Sequence, residues 1–282
     1  MNNQFNLGTL QPEGCQKSPK DVRDIQLTKI QPPVPIPDEF VPHYLDKIPV
    51  LFQNGLGVCS AHAGAHFKQI QEYLETVEIE KYSPRYLWIE TKKIDGVPLE
   101  AGSYLRAIFK TLQNKGICDY DLLVNDFSSL QDFSNPALIT AKMDNNAQPR
   151  IIKHYAFLND LSFGGLKQAI YQNKAVLMRI VVDEGFFRTK SPTFATGKWG
   201  HLVVGCGYDL DGIYIIDSTE ENPKLAIKKI RKEYVRFITE AGTALDADTE
   251  MIRKMVKKKE LLQKLVILYQ KVIELWKQFT KK

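Results

Sequence analysis

Cys59 stands in the run Gln53-Asn54-Gly55-Leu56-Gly57-Val58-Cys59-Ser60-Ala61, where a glycine-bearing loop leads into an amphipathic pattern. The spacing of Ala61, Ala65, Phe67, Ile70, Tyr73 and Leu74 predicts a helix that begins at about this cysteine. A thiol in a first helical turn meets the positive end of the helix dipole and unpaired backbone N–H groups, and both favour thiolate. Gly55 and Gly57 allow backbone angles and a close approach that a side chain would obstruct, so the loop can accept a substrate backbone. Gln53, six residues before the thiol, offers an amide N–H that could join the Cys59 backbone N–H in holding a developing oxyanion. A general base is still needed. Trp199-Gly200-His201-Leu202-Val203-Val204-Gly205 puts a histidine at the mouth of an apolar, β-branched run that reads as a buried strand. The turn signal Asp209-Leu210-Asp211-Gly212 separates it from a second run, Ile213 to Ser218, and the pair predicts a β-hairpin. In a hairpin, Asp217 at the far end of the second strand can lie beside His201, where an acceptor fixes the tautomer and orientation of the imidazole. The chemistry these four residues suit is acyl transfer, with Cys59 as nucleophile, His201 as base, Asp217 as orienter and Gln53 at the oxyanion.

Other residues of reactive type read differently. His62 and His66 lie one and two turns after Cys59, but no second cysteine or carboxylate completes a zinc set nearby, so they are expected to serve packing or the surface and no metal is expected. Cys15, Cys118 and Cys206 have no metal-ligand spacing and are expected to be ordinary thiols. No cofactor is implied.

The elements needed to position these residues are the predicted helix that begins near Cys59 and the predicted hairpin that carries His201 and Asp217. At this point the chain resembles the papain-like cysteine peptidases, in a bacterial or phage-type form. Gln53, Cys59 and His201 follow the order and approximate spacing of that family's oxyanion-hole glutamine, nucleophile and base, with His201 142 residues after Cys59. Ser83-Pro84-Arg85-Tyr86-Leu87, and the stretch from Asp95-Gly96 through Gly102-Ser103-Tyr104-Leu105-Arg106-Ala107 to Lys115-Gly116-Ile117-Cys118, resemble the segments after the nucleophile helix. Gly164-Gly165-Leu166-Lys167-Gln168-Ala169-Ile170 and Ala175-Val176-Leu177-Met178 resemble the short helix and strand that introduce the β-rich half. The likeness runs from about Ser18 to Phe237 and rests on the order of the blocks rather than on any one of them. It implies an α+β, two-lobed papain-like fold, with a helical half containing Cys59 facing a β-rich half containing His201 and Asp217 across a cleft, and with it peptide-bond hydrolysis and a protein or peptide substrate. The chain also departs from the family. Leu56-Gly57-Val58-Cys59-Ser60 stands in place of Cys-Gly-Ser/Ala-Cys-Trp/Tyr. Asp217 stands where asparagine is usual, and Thr219 where a tryptophan is usual. An ionised aspartate should hold imidazolium more strongly than an amide does and raise the pKa of His201. The same departures suit a papain-fold virion or assembly component that has lost turnover, and the same site would also suit a cell-wall amide or isopeptide.

Beyond the site, 282 residues with 44% hydrophobic content suffice for one compact domain with appendages. Residues 1–44 are polar and turn-rich, and Gln31-Pro32-Pro33-Val34-Pro35-Ile36-Pro37-Asp38 favours extended geometry. They are expected to form a strap along the enzyme surface, with an autoinhibitory plug as the alternative. The peptidase domain is expected over 45–242 and a basic amphipathic helix over 243–282. From Thr249 to Lys282 there are ten basic and three acidic residues, a balance of +7 within an overall +5, so the rest of the chain carries −2. Met255, Leu262, Tyr269 and Trp276 recur at seven-residue steps, a stripe suited to self-association or docking on a partner, to an anionic membrane surface, or to folding back on the domain. Specific nucleic-acid binding is not expected, because no recognisable module accompanies the charge. Four scattered cysteines and a start without a basic or apolar leader point to a cytoplasmic protein by default, with carriage in a phage virion as the alternative.

Overall fold

The computed structural model describes residues 14–197 and 199–245; the expected C-terminal helix lies outside them except for residues 243–245, which are the end of a strand and not helix because they pair with His154 to Ala156. The described chain opens with β1 (Cys15–Gln16) and a single turn, α1 (Leu27–Ile30). The helical lobe follows: α2 (Cys59–Thr76), α3 (Pro84–Lys92), β2 (Ser103–Tyr104), α4 (Leu105–Asn114), α5 (Leu130–Phe133) and α6 (Ala141–Ala147). The β-rich lobe contains β3 (His154–Phe157), α7 (Phe163–Asn173), β4 (Val176–Val182), α8 (Glu184–Arg188), β5 (Trp199–Tyr208), β6 (Gly212–Ile216), α9 (Pro223–Ala226), β7 (Ile227–Arg231) and β8 (Ile238–Leu245).

Local chemistry accounts for several boundaries. Pro84 occupies the first turn of α3, and the Ser83 hydroxyl caps it by accepting from the Tyr86 N–H at 3.1 Å. The hairpin between β5 and β6 closes on Asp209, whose Oδ1 accepts from the Asp211 and Gly212 N–H groups at 2.8 and 3.0 Å. The six strands run in the order β3-β8-β4-β5-β6-β7, every neighbour antiparallel.

Both faces of this sheet are covered, which is why its central strands read as continuous apolar runs. Leu177, Leu202 and Val204 pack with Phe67 and Ile70 of α2 and Leu105 and Ile108 of α4. Their alternates Met178, Val203 and Ile213 pack with Leu166 and Ile170 of α7. Helix α2 is buried around its whole circumference from Cys59 to Ile70, wedged between β5 and the other helices. Gly64 lets them close on it, since a Cβ there would stand 2.6 Å from Leu87 Cδ2 and 2.7 Å from Ile108 Cγ2.

Residues 14–44 are tied along this body. Arg106 of α4 donates to Asp24 and to the Pro19 carbonyl, and the Ser18 hydroxyl accepts from the Arg106 N–H at 3.1 Å. Gln26 bridges to Phe157, and Phe40 exchanges two backbone hydrogen bonds of 2.8 Å with Tyr208. No helix among the described residues is long and apolar enough to cross a membrane.

Candidate active site

The loop before α2 turns through Asn54 and Gly55, at φ of 49° and 75°, and delivers Cys59 as the first residue of the helix. Val58 precedes it with no side-chain cap, leaving that helix end without a competing oxygen. On the opposite side, His201 lies in β5, paired across to Ile180 of β4. Asp217 directly follows β6, and its Oδ1 accepts from His201 Nε2 at 2.9 Å. With Nε2 so engaged, Nδ1 is the nitrogen left to face Cys59, whose sulfur is near enough to act on the ring's charge. The structure thus brings Cys59, His201 and Asp217 together in the sequence-predicted order. Burial disfavours the imidazolium, yet Cys59 beside the ring and the hydrogen bond to Asp217 outweigh it and raise the His201 pKa to about 9.

Gln53 joins them through the residue after Asp217. Its Oε1 accepts from the Ser218 hydroxyl at 2.7 Å, its backbone N–H donates to the Ser218 carbonyl at 2.9 Å, and its Nε2 donates to the Leu56 carbonyl at 2.6 Å. The amide is therefore held in one orientation, with one of its two side-chain N–H bonds spent within its own loop.

Asp217 is wholly buried, and four donors surround its carboxylate: His201 Nε2, Lys228 Nζ at 2.7 Å, and the N–H and hydroxyl of Thr219 at 3.1 and 2.8 Å. Burial pushes the carboxyl up, but the Lys228 ammonium and His201 prevail and hold it well below the usual carboxylate range. Phe186 and Phe187 meet the His201 ring edge-on at 5.9 and 5.8 Å. They wall the imidazole away from water and restrict its rotation.

The chain's own N-terminal segment lies over the sulfur. A Cβ on Gly14 would stand 2.8 Å from Cys59 Sγ, and one on Gly200 would stand 1.9 Å from the Cys15 carbonyl oxygen. That carbonyl accepts from Arg179 Nε at 3.0 Å, while β1 pairs in parallel with β2, Cys15 opposite Ser103. Cys59 is fully buried as a result, and His201 is 3% exposed.

Sequence reasoning carried such a cover only as the alternative to a surface strap, without locating it at Gly14, and it missed Lys228. The lysine had a signal: in Ile227-Lys228-Lys229-Ile230-Arg231 the alternation of a strand puts Lys228 on the inward face with Ile230. Gly14 offered none, because a residue without a side chain leaves no pattern.

The remaining candidates are buried in packing. His62 Nδ1 donates to the Val58 carbonyl at 3.2 Å while its Nε2 accepts from Asn125 at 3.1 Å, and His66 Nε2 accepts from the Leu51 N–H at 2.9 Å. Burial lowers their pKa values to about 4 and about 3. Cys15, Cys118 and Cys206 are buried free thiols, and burial raises all three, Cys118 to about 12.

No protein-family model matches this chain, and no curated protein sequence matches it. Solved structures do. Xylellain, a cysteine protease from Xylella fastidiosa, superposes with a TM-score of 0.70 at 18% identity, over 84% of this chain and 97% of that one. The Carica candamarcensis cysteine protease CMS1MS2, in complex with E-64, gives 0.59 at 15%, over 76% and 100%. Procathepsin B S9 from Trypanosoma congolense gives 0.65 at 11%, over 86% and 90%. The chain has the fold of the papain-like cysteine proteases.

Proposed function

We propose that this protein is a cysteine peptidase that hydrolyses peptide bonds through a thioester on Cys59. The observation that carries the reading is the imidazole of His201 held between the Cys59 thiol and the Asp217 carboxylate, opposite the uncapped start of α2. In the reaction, Cys59 Sγ attacks the scissile carbonyl carbon as its proton passes to His201. The oxyanion takes hydrogen bonds from the Cys59 backbone N–H and the Gln53 amide. When the C–N bond breaks, His201 returns the proton to the leaving amine. Water, deprotonated by His201, then cleaves the thioester and restores the thiol. Asp217 keeps the ring turned toward sulfur throughout. None of these steps requires a cofactor.

For substrate to reach the sulfur, the segment around Gly14 must leave it. Residues 14–44 are accordingly a strap whose Gly14–Cys15 end also guards the site, while residues 45–242 carry the chemistry.

A peptidyl electrophile tests the assignment, and E-64, the inhibitor present in the solved plant protease, is a suitable one. The expected result is a single adduct on Cys59, absent in Cys59→Ala and formed at least a hundredfold more slowly in His201→Ala. Adducts spread over Cys15, Cys118 and Cys206, or an unchanged rate in His201→Ala, would leave a papain-fold scaffold without turnover.

A further inference from the structure

We infer that Lys228 is a positioning residue for His201, forming with Asp217 a buried, charge-compensated pair that acts on the imidazole as one unit. The inference rests on the peptidase reading for its meaning and on the buried geometry for its support.

Lys228 Nζ lies 2.7 Å from Asp217 Oδ2, the oxygen His201 does not use, and its side chain is 3% exposed against 0% for Asp217. The ammonium also stands over the Phe186 ring, 4.9 Å from its centre, on the aromatic that borders His201. A buried carboxylate without a counter-charge is strongly unfavourable. His201 can supply that charge only while it is protonated, and the proposed cycle requires it to give its proton up. With Lys228 alongside, Asp217 has a cationic partner at every stage, and the imidazole can change charge without stranding the carboxylate. The Asp217–Lys228 pair then presents to His201 an acceptor of little net charge, close to what a neutral amide would present there.

The other ionisable groups facing these residues do not replace the lysine. Cys59 and His66 face them from α2, and burial keeps His66 neutral at ordinary pH. Tyr234, in the turn after β7, senses both Asp217 and Asp183. Arg179 of β4 flanks Gly200, but its guanidinium donates outward to the Cys15 carbonyl and the Thr239 hydroxyl. Among the described residues, Lys228 alone forms an ion pair with Asp217 besides His201.

The test is the titration of the His201 imidazole, followed by nuclear magnetic resonance of labelled histidine in the full chain. This readout needs no substrate, so it can fail or succeed independently of peptidase activity. Wild type is compared with Lys228→Met, Asp217→Asn and the double variant. Removing the lysine charge should move the His201 midpoint up by at least half a pH unit, because the carboxylate then acts on imidazolium uncompensated. Asp217→Asn alone strands a buried ammonium and should be the least stable of the set, whereas the double variant should recover stability and lose the upward shift. If Lys228→Met fails to fold while the double variant folds, the pairing is supported. A folded Lys228→Met with an unmoved His201 midpoint, effects on stability that simply add, or failure of both Lys228→Met and the double variant to fold overturns it.

Discussion

At the level of single residues, the grouping of Cys59, His201, Asp217 and Gln53 in the candidate site was legible because the proposed chemistry restricts which residue types can serve. A thiol at a helix start, a histidine at a strand mouth and an aspartate across a hairpin are each ordinary, yet their order and spacing are not. Lys228 escaped because it sits among Lys229 and Arg231, where charge reads as a solvated face unless strand alternation is followed residue by residue. The raised His201 pKa has a consequence that separates two measurements. Amide hydrolysis needs imidazolium to protonate the leaving amine, so activity should fall as pH rises through about 9, where His201 loses its proton. Alkylation of Cys59 by iodoacetamide needs no such proton and should not fall over the same range. A hydrolysis profile that stays flat to pH 10 would contradict the role given to His201. The sign for folding is the same: the folded pKa exceeds the ordinary value, so the stability His201 contributes is complete below about 6.5 and lost as pH climbs to about 9.

Among the elements, α2 shows where periodicity informs and where it misleads. The apolar spacing located the helix and its first residue, but it implied one buried face. The structure buries His62, His66, Lys68 and Gln69 as well, and leaves Leu74 exposed where the last turn emerges from between the lobes. Packing from several sides overrides a one-sided pattern, and no moment along the sequence reports the number of neighbours. The region from Tyr120 to Arg150 was illegible for another reason: it is built of short helices and 3-10 turns, too brief to establish any period. The packing of α2 makes Gly64 sensitive. Alanine there would gain about 1 kcal/mol of helix propensity, but its methyl would press into Leu87 and Ile108. Overpacking of this kind costs about 1–3 kcal/mol, so Gly64→Ala should lower the urea midpoint on balance. A midpoint raised by the substitution would show that α3 and α4 yield more easily than their contacts suggest.

Across the whole molecule, the two lobes and the covering N-terminal segment form one arrangement. The α+β class and the two-lobed fold followed from the family resemblance, carried by the order of its blocks around a helix at Cys59 and a hairpin at His201. The extended character of residues 14–44 followed from their prolines, and a course along the body was expected of them, but the approach of Gly14 to the sulfur was not legible, because contacts made by backbone leave no side-chain pattern. Removing residues 1–17 leaves the Ser18, Asp24 and Arg106 contacts in place and uncovers Cys59. Iodoacetamide should then modify Cys59 at least tenfold faster than in the full chain, read by mass spectrometry. An equal rate would mean that the segment already leaves the sulfur freely.

The attachment of that segment near the sulfur is small: a two-residue ladder to Ser103 and Tyr104 and one carbonyl held by Arg179. On the peptidase reading, being joined to the body by the same chain, it would compete with substrate at a local concentration on the order of millimolar. Such a tethered rival would raise the apparent KM and leave kcat untouched. Dilution cannot relieve it, so the protein would carry its own threshold for substrate wherever it is found.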